Sequence, residues 1–314
     1  MKKKNFEILN EDQGIFFADQ LKYLETEIYR IEYAELQGKQ LFDVDESIPP
    51  GYSSGAYRTF DLRGKANWIN GGSKDLPRVD VSGTEVQYPI KTIGDSFGYD
   101  VLEIEAARVA GINLETERSN AASFVVEQGL DEAIFLGVPD LGINGLLSNT
   151  DVPNIQAANN AGATSRKWVD KTPDEILADV NLAFTTTNVD TLGKERPSKL
   201  GLPLLQYNDI ATRRLGSTSD TTVLEYLVSK SPFLSSMNDV SGIHYFTGTG
   251  TGTTDQLMIW DPNPVKVQVK LPLDTTIMSD LAQIEGLEIV THVIARFGGT
   301  LIRYPLSMRK VYGI

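Results

Sequence analysis

The chain is 314 residues long, with 41% hydrophobic and 23% charged residues, so it can bury a large core and is not globally disordered. It has no cysteine, which excludes disulfide frameworks, thiolate metal sites and cysteine nucleophiles. Its formal charge of −13 argues against a dedicated nucleic-acid binder, which needs clustered cations to displace counterions, although a wall that merely surrounds DNA remains compatible.

Three lysines near the N-terminus are followed by acidic residues rather than an apolar run, so no signal peptide is read there. No stretch approaches the roughly 18 uncharged apolar residues of a membrane span, and synthesis in the cytoplasm is expected. Residues 16–36 carry a helical period, with Phe17, Leu21, Leu24, Ile28 and Ile31 on one narrow stripe among glutamates. The stripe suits packing on its own core or across a neighbouring subunit.

Turn chemistry at Pro49-Pro50-Gly51 and Ser53-Ser54-Gly55 leads into residues 57–95. Their rough alternation around Asn70-Gly71-Gly72-Ser73 predicts a long, polar β ribbon. A ribbon of this kind is marginal alone and must lean on something. Residues 46–92 hold six basic and five acidic side chains, a net +1 in a chain at −13. That balance suits a projecting arm that rests on an acidic surface.

Residues 100–128 predict a long helix interrupted at Gly111, and a second stretch from Leu130 to Gly137 leads into a glycine-rich turn region ending at Leu147. A polar stretch at 149–167 marks a boundary. Thr172, Pro173 and Glu175 spell an N-cap, an N1 proline and the N3 partner of a capping box, with Ile176, Leu177, Val180, Ala183 and Phe184 as the apolar face. Beyond it, 202–207 reads as a strand, Val223–Val228 as a helix face ended by Ser231-Pro232, and 243–246 and 257–260 as strands. The Gly/Thr run at 247–254 between them reads as a mobile loop tip. Residues 289–296 and 300–303 read as two strands around the turn at Gly298-Gly299.

Catalytic and metal motifs fail one by one. Gly51-Tyr52-Ser53-Ser54-Gly55 matches G-x-S-x-G, but a nucleophile elbow needs an apolar strand before it and a helix after it. A serine hydrolase using Ser53, with His244 or His292 as base, is therefore only a remote alternative. Two histidines cannot make a His-only metal site, and both read as packed or surface residues. Asp43-Val44-Asp45 opens like a calcium loop, but Ile48 stands where glycine is required. No P-loop occurs, and the Gly/Thr run lacks the dinucleotide-binding pattern. Tyr57-Arg58 and the Arg63–Trp68 segment come nearest to base-stacking chemistry, but protein contact is the better reading in an acidic chain. No catalytic residue, cofactor or metal is expected.

The order of elements is nevertheless specific. So are Glu103–Gly111 with Leu114 and Ala121-Ala122, Ile134–Gly137 with Gly142–Asn149, Trp168 with Thr172–Ile176, and Gly298-Gly299 with Arg303–Leu306. Together they resemble the HK97-like major capsid proteins of tailed phages. The resemblance implies an α+β fold: an N-terminal arm (1–45), an E-loop (46–95), a P-domain with a long spine helix and a sheet (96–165 and 286–304), and an A-domain (166–285 and 305–314). It implies a structural subunit that assembles with itself into pentamers and hexamers of an icosahedral head. That head would enclose dsDNA without reading its sequence, in the virion and away from membranes. Portal, scaffold or decoration proteins are the further partners implied. An encapsulin-like compartment shell with the same fold is the alternative. The lysine, asparagine and glutamate of an HK97-type cross-link are not matched, although Lys65 and Lys74 lie in the ribbon, so no cross-link is expected. Leu21, Leu24, Ile28, Arg58, Arg63, Lys65, Trp68 and Arg78 are the expected inter-subunit contacts.

Overall fold

The structure is a computed structural model that describes residues 33–66, 68, 78–110, 114–216, 219–278, 283–285 and 288–314. Packing divides the chain into Met1–Glu35 and Leu36–Ile314, and every element below lies in the second unit. Residues 16–32 of the predicted N-terminal helix, including Leu21, Leu24 and Ile28, lie outside the described residues, as do the ribbon's turn and Lys74; residues 33–36, its expected end, are not helical.

In chain order the elements begin with the short helix α1 (Gly38–Leu41), β1 (Val44–Asp45), β2 (Ser54–Arg63), β3 (Asp80–Pro89) and β4 (Lys91–Asp100). Helices α2 (Val101–Ala110) and α3 (Leu114–Leu136) follow, then β5 (Gly137–Val138), β6 (Ile143–Asn144) and β7 (Asn154–Gln156). The next group is α4 (Pro173–Asp190), β8 (Lys199–Leu202), α5 (Leu204–Thr212), α6 (Val223–Lys230), β9 (Val240–Gly242) and β10 (Gln256–Trp260). The chain closes with β11 (Val267–Lys270), β12 (Leu273–Ile277), β13 (Gln283–Glu285), β14 (Glu288–Phe297), β15 (Gly299–Ile302) and β16 (Arg309–Tyr312).

Two hydrophobic cores share one sheet, ordered β7-β16-β10-β8-β9. Strand β10 is buried at every position, and its side chains alternate between the cores. Met258 and Trp260 join the first core, Leu257 and Ile259 the second. A period of 2 with both faces covered makes β10 an unbroken apolar run from Leu257 to Trp260. The first core also holds the buried face of α3, formed by Ala122, Val126, Leu130, Ala133 and Ile134, which packs on β4, β12, β14 and β15. The second core lies among α4, α5 and α6.

Several elements differ from the sequence expectation. The long helix does not stop at 128 but runs to Leu136. Gly129 sits inside it because β4 comes close: a Cβ there would lie 2.8 Å from Ile93 Cδ1. Residues 204–207 are helical, not strand; Pro203 is the N-cap of α5, and only Gln206 and Ile210 of its residues are buried. A short apolar run after a proline fits either structure, and burial on one side decides it. Residues 244–246 form a single 3-10 turn after β9.

The closing strands do not pair with each other. Strand β14 pairs with β4 along ten residues from Glu288↔Asp100 to Phe297↔Lys91, while β15 pairs with β11. Gly299, at φ +92°, redirects the chain between the two sheets. Strand β11 pairs with β1 and β15, and β12 pairs with β14. Strand β4 belongs to the β14 sheet.

The capping box forms as expected. Thr172 Oγ1 accepts from Glu175 N, and Glu175 Oε2 accepts from Thr172 N at 2.7 Å. Thr172→Ala is expected to cost about 1 kcal/mol of folding stability, read by denaturant unfolding of the dispersed chain. An unchanged midpoint would show the cap to be redundant.

Candidate assembly interface

The ribbon takes little support from its own chain, since most of β2 and β3 is exposed. Strands β2 and β3 pair antiparallel from Ser54↔Pro89 to Arg63↔Asp80. Directly opposed residues share a face. One face therefore reads Gly55/Tyr88, Tyr57/Val86, Thr59/Thr84, Asp61/Ser82 and Arg63/Asp80 from root to tip. The other reads Ser54/Pro89, Ala56/Gln87, Arg58/Glu85, Phe60/Gly83 and Leu62/Val81.

The first face is fixed at the root. Burial of β2 alternates there, with Gly55 and Tyr57 half-buried and their neighbours exposed. The Arg303 guanidinium lies over the Tyr57 ring, 5.8 Å from its centroid, while Arg303 also donates to Pro264 O and Gln268 Oε1. The Tyr88 ring covers Gly55, where a Cβ would meet it at 2.3 Å, and a Cβ on Gly298 would lie 3.3 Å from the same ring. Beneath, Lys270 pairs with Asp45 and ties β11 to β1. Burial pushes both Tyr57 and Tyr88 up.

The predicted contact residues beyond the root are exposed. Arg58 pairs with Glu85 at 2.8 Å and Arg63 with Asp61 at 3.0 Å, both across solvent-exposed side chains. Pairs of this kind contribute little stability and dissolve readily into a new interface. Lys65, Trp68 and Arg78 are exposed as well. Sequence reasoning passed over Phe60, Leu62, Val79 and Val81, all exposed. Their signal lay in the register: apolar residues recur at 60 and 62 and again at 79 and 81.

A second junction anchors the chain where it enters the body. Asp131 of α3 is buried, and its Oδ1 accepts from Gly38 N at 2.6 Å. Glycine is required at 38 by close approach, since a Cβ would sit 2.8 Å from that oxygen and 2.9 Å from Ile134 Cδ1. Burial pushes the Asp131 carboxyl up, against the Gly38 amide. Asp45 and Asp239 go the other way. Burial pushes them up, but hydrogen bonds from Lys270 and Ser47, and from Lys199, Ser235 and Ser236, outweigh it and hold both at about 2.

The signs of linkage follow. Asp45 and Asp239 contribute stability above 3.8, lost as pH falls toward about 2. Asp131, raised in the fold, opposes folding at neutral pH, and that opposition lifts as pH falls through its raised value. Asp131→Asn is therefore expected to keep or raise the melting temperature at pH 7 and to remove a stabilisation that wild type gains on mild acidification. A large loss at pH 7 would contradict it.

The chemistry considered from sequence finds no support in the geometry. Ser53 is exposed and followed directly by β2, not by a helix. His244 lies tilted against Tyr245 with ring centroids 3.9 Å apart, and His292 is half-buried on β14 opposite Ser96. Asp43 accepts from Gln268 and Asp45 from Lys270. Among the described residues no group of three or more His, Cys, Asp or Glu could hold a metal, and no helix is long and apolar enough to cross a membrane. The Gly/Thr loop is knit internally: Gly250 N donates to Thr254 O, Gly248 N to Asp255 and Gln256 Nε2 to Thr249.

A family model described as major capsid protein matches residues 64–314. No curated protein matches significantly. Among solved structures, the capsid of Myoviridae phage XM1 superposes with a TM-score of 0.79 at 18% identity, covering 99% of this chain and 100% of that one. The capsid of an empty GTA particle gives 0.63 at 10% identity, covering 97% and 99%. A virus-like particle from Pyrococcus furiosus gives 0.52 at 14% identity, covering 87% and 90%. At these identities the likenesses show a shared, HK97-like fold.

Proposed function

The chain belongs to the major capsid protein family, and from that premise we propose how it builds a wall: as a subunit that packs with copies of itself into pentamers and hexamers of an icosahedral phage-type head. The family is a structural one. The observation that carries the assembly reading is the ribbon, ten paired rungs that leave the body with their outer half unburied. An arm of that kind gains its burial from a neighbour. Heterologous contacts between identical copies close into rings when the rotation permits.

The N-terminal arm, E-loop, P-domain and A-domain are proposed on the division given by the resemblance, with β4, β11 and β12 moved to the P-domain on the strength of their pairing. Leu21, Leu24, Ile28, Arg58, Arg63, Lys65, Trp68 and Arg78 remain proposed contacts. Packaged dsDNA is enclosed without sequence readout, and the −13 charge keeps it from adhering to the wall. Portal, scaffold or decoration proteins complete the particle, and the subunit is made in the host cytoplasm. Negative-stain microscopy of the expressed chain is expected to show closed shells or rings. A compact monomer or dimer at all concentrations, with phage partners present, would overturn the proposal.

A further inference from the structure

We infer that the ribbon uses its two faces for two different bodies: the Gly55/Tyr57/Tyr88 face holds it to its own chain at the root, and the opposite face, carrying Phe60, Leu62, Val79 and Val81, seats on a second copy toward the tip. The inference rests on the shell reading and specifies which surface of the arm makes the contact.

The apolar content of the ribbon changes face halfway along. Near the root the inward face carries Tyr57, Val86 and Tyr88, while the outward face mixes Ser54, Gln87 and the Arg58–Glu85 pair with the small apolar groups of Ala56 and Pro89 and holds no large apolar side chain. Past Thr59/Thr84 the pattern inverts. The face continuous with Tyr57 becomes Asp61, Ser82, Arg63 and Asp80, suited to solvent, and the other becomes Phe60, Leu62 and Val81. Val79 extends this second face one step further, since a Cβ on Gly64 would lie 2.9 Å from its Cγ2. Gly83 opposite Phe60 and Gly64 beside Val79 leave the apolar groups proud of the backbone. Twist turns both faces of a ribbon together and does not exchange them.

These four side chains are 70, 76, 70 and 53% exposed for Phe60, Leu62, Val79 and Val81. Four apolar groups on one face of a two-stranded ribbon form a contiguous patch rather than scattered surface residues. The occupant is another copy of this chain. A repeating wall supplies one at fixed geometry beside every ribbon. The arm at +1 also meets a chain that carries −14 outside residues 46–92.

The absence of cysteine makes the test clean. Leu62→Asp is expected to yield a folded chain with wild-type melting temperature that forms no particles, whereas Thr59→Asp, on the opposite face three rungs nearer the root, assembles as wild type does. In particles, Leu62→Cys is expected to react with a maleimide at least about tenfold more slowly than in the dispersed chain, since burial of one leucine-sized group exceeds that free-energy equivalent. Thr59→Cys is expected to react equally in both. Assembly by Leu62→Asp at wild-type yield, blockage by Thr59→Asp, or equal labelling at the two positions would overturn the face assignment while leaving the shell reading intact. Failure of the wild-type chain to form particles would remove both.

Discussion

Asp179→Ala lowers folding stability by about 3–5 kcal/mol, the largest effect expected of any single charge removal among the described residues. Asp179 and Lys171 form an ion pair with side-chain exposures of 1 and 0%. The carboxylate also accepts from Trp168 Nε1 at 3.0 Å and from Ala158 N at 3.3 Å. It thereby joins α4 to the polar segment that precedes it, and Arg213 of the α5 end closes the arrangement by donating to Lys171 O at 2.8 Å and Trp168 O at 3.2 Å. Removing the carboxylate leaves a buried ammonium and a buried indole N–H without their acceptor. The cost is that of an uncompensated charge, not the net worth of the pair. The double variant Lys171→Met/Asp179→Leu is therefore expected to recover most of the loss. Denaturant unfolding of the dispersed chain reads both, and a double variant as unstable as the single one would refute the account.

Trp260→Ala is the second large effect, also about 3–5 kcal/mol. Trp260 closes β10 and is fully buried in the first core, its ring 5.4 Å from that of Phe42. The pocket is shaped around it: a Cβ on Gly201 of the adjacent strand would lie 3.0 Å from Cζ3. Alanine would leave a cavity between strands that pair on both sides of β10, where collapse is difficult. Trp260→Phe is expected to cost much less, because the indole N–H has no hydrogen-bond partner and its loss orphans nothing. Equal losses in the two variants would show that the N–H, and not the ring volume, matters there.

Local chemistry was legible where it is self-contained. The Thr172–Glu175 box needs only four consecutive residues, and the β2–β3 alternation needs only a period of 2. The apolar run at 204–207 was misread because Leu204 and Leu205 are exposed and the burial that makes α5 a helix falls on Gln206 and Ile210. The strands flanking Gly298-Gly299 were misread as neighbours because their true partners, β4 and β11, are remote in sequence. Among the proposed contact residues, the charged ones were visible by composition. The apolar patch was not, because the face that each residue of the ribbon occupies depends on the pairing register.

The sequence by itself determined the absence of thiol chemistry, the acidic balance, the capped helix and an arm too polar to stand alone, since each follows from composition or from neighbours a few residues apart. The tertiary structure alone decided that β10 separates two cores and that a buried Lys171–Asp179 pair locks α4 in place. It also decided that the ribbon turns one face to its own body and the other outward. All three depend on contacts between residues distant along the chain, and burial, which sets their energies, is a property of those contacts.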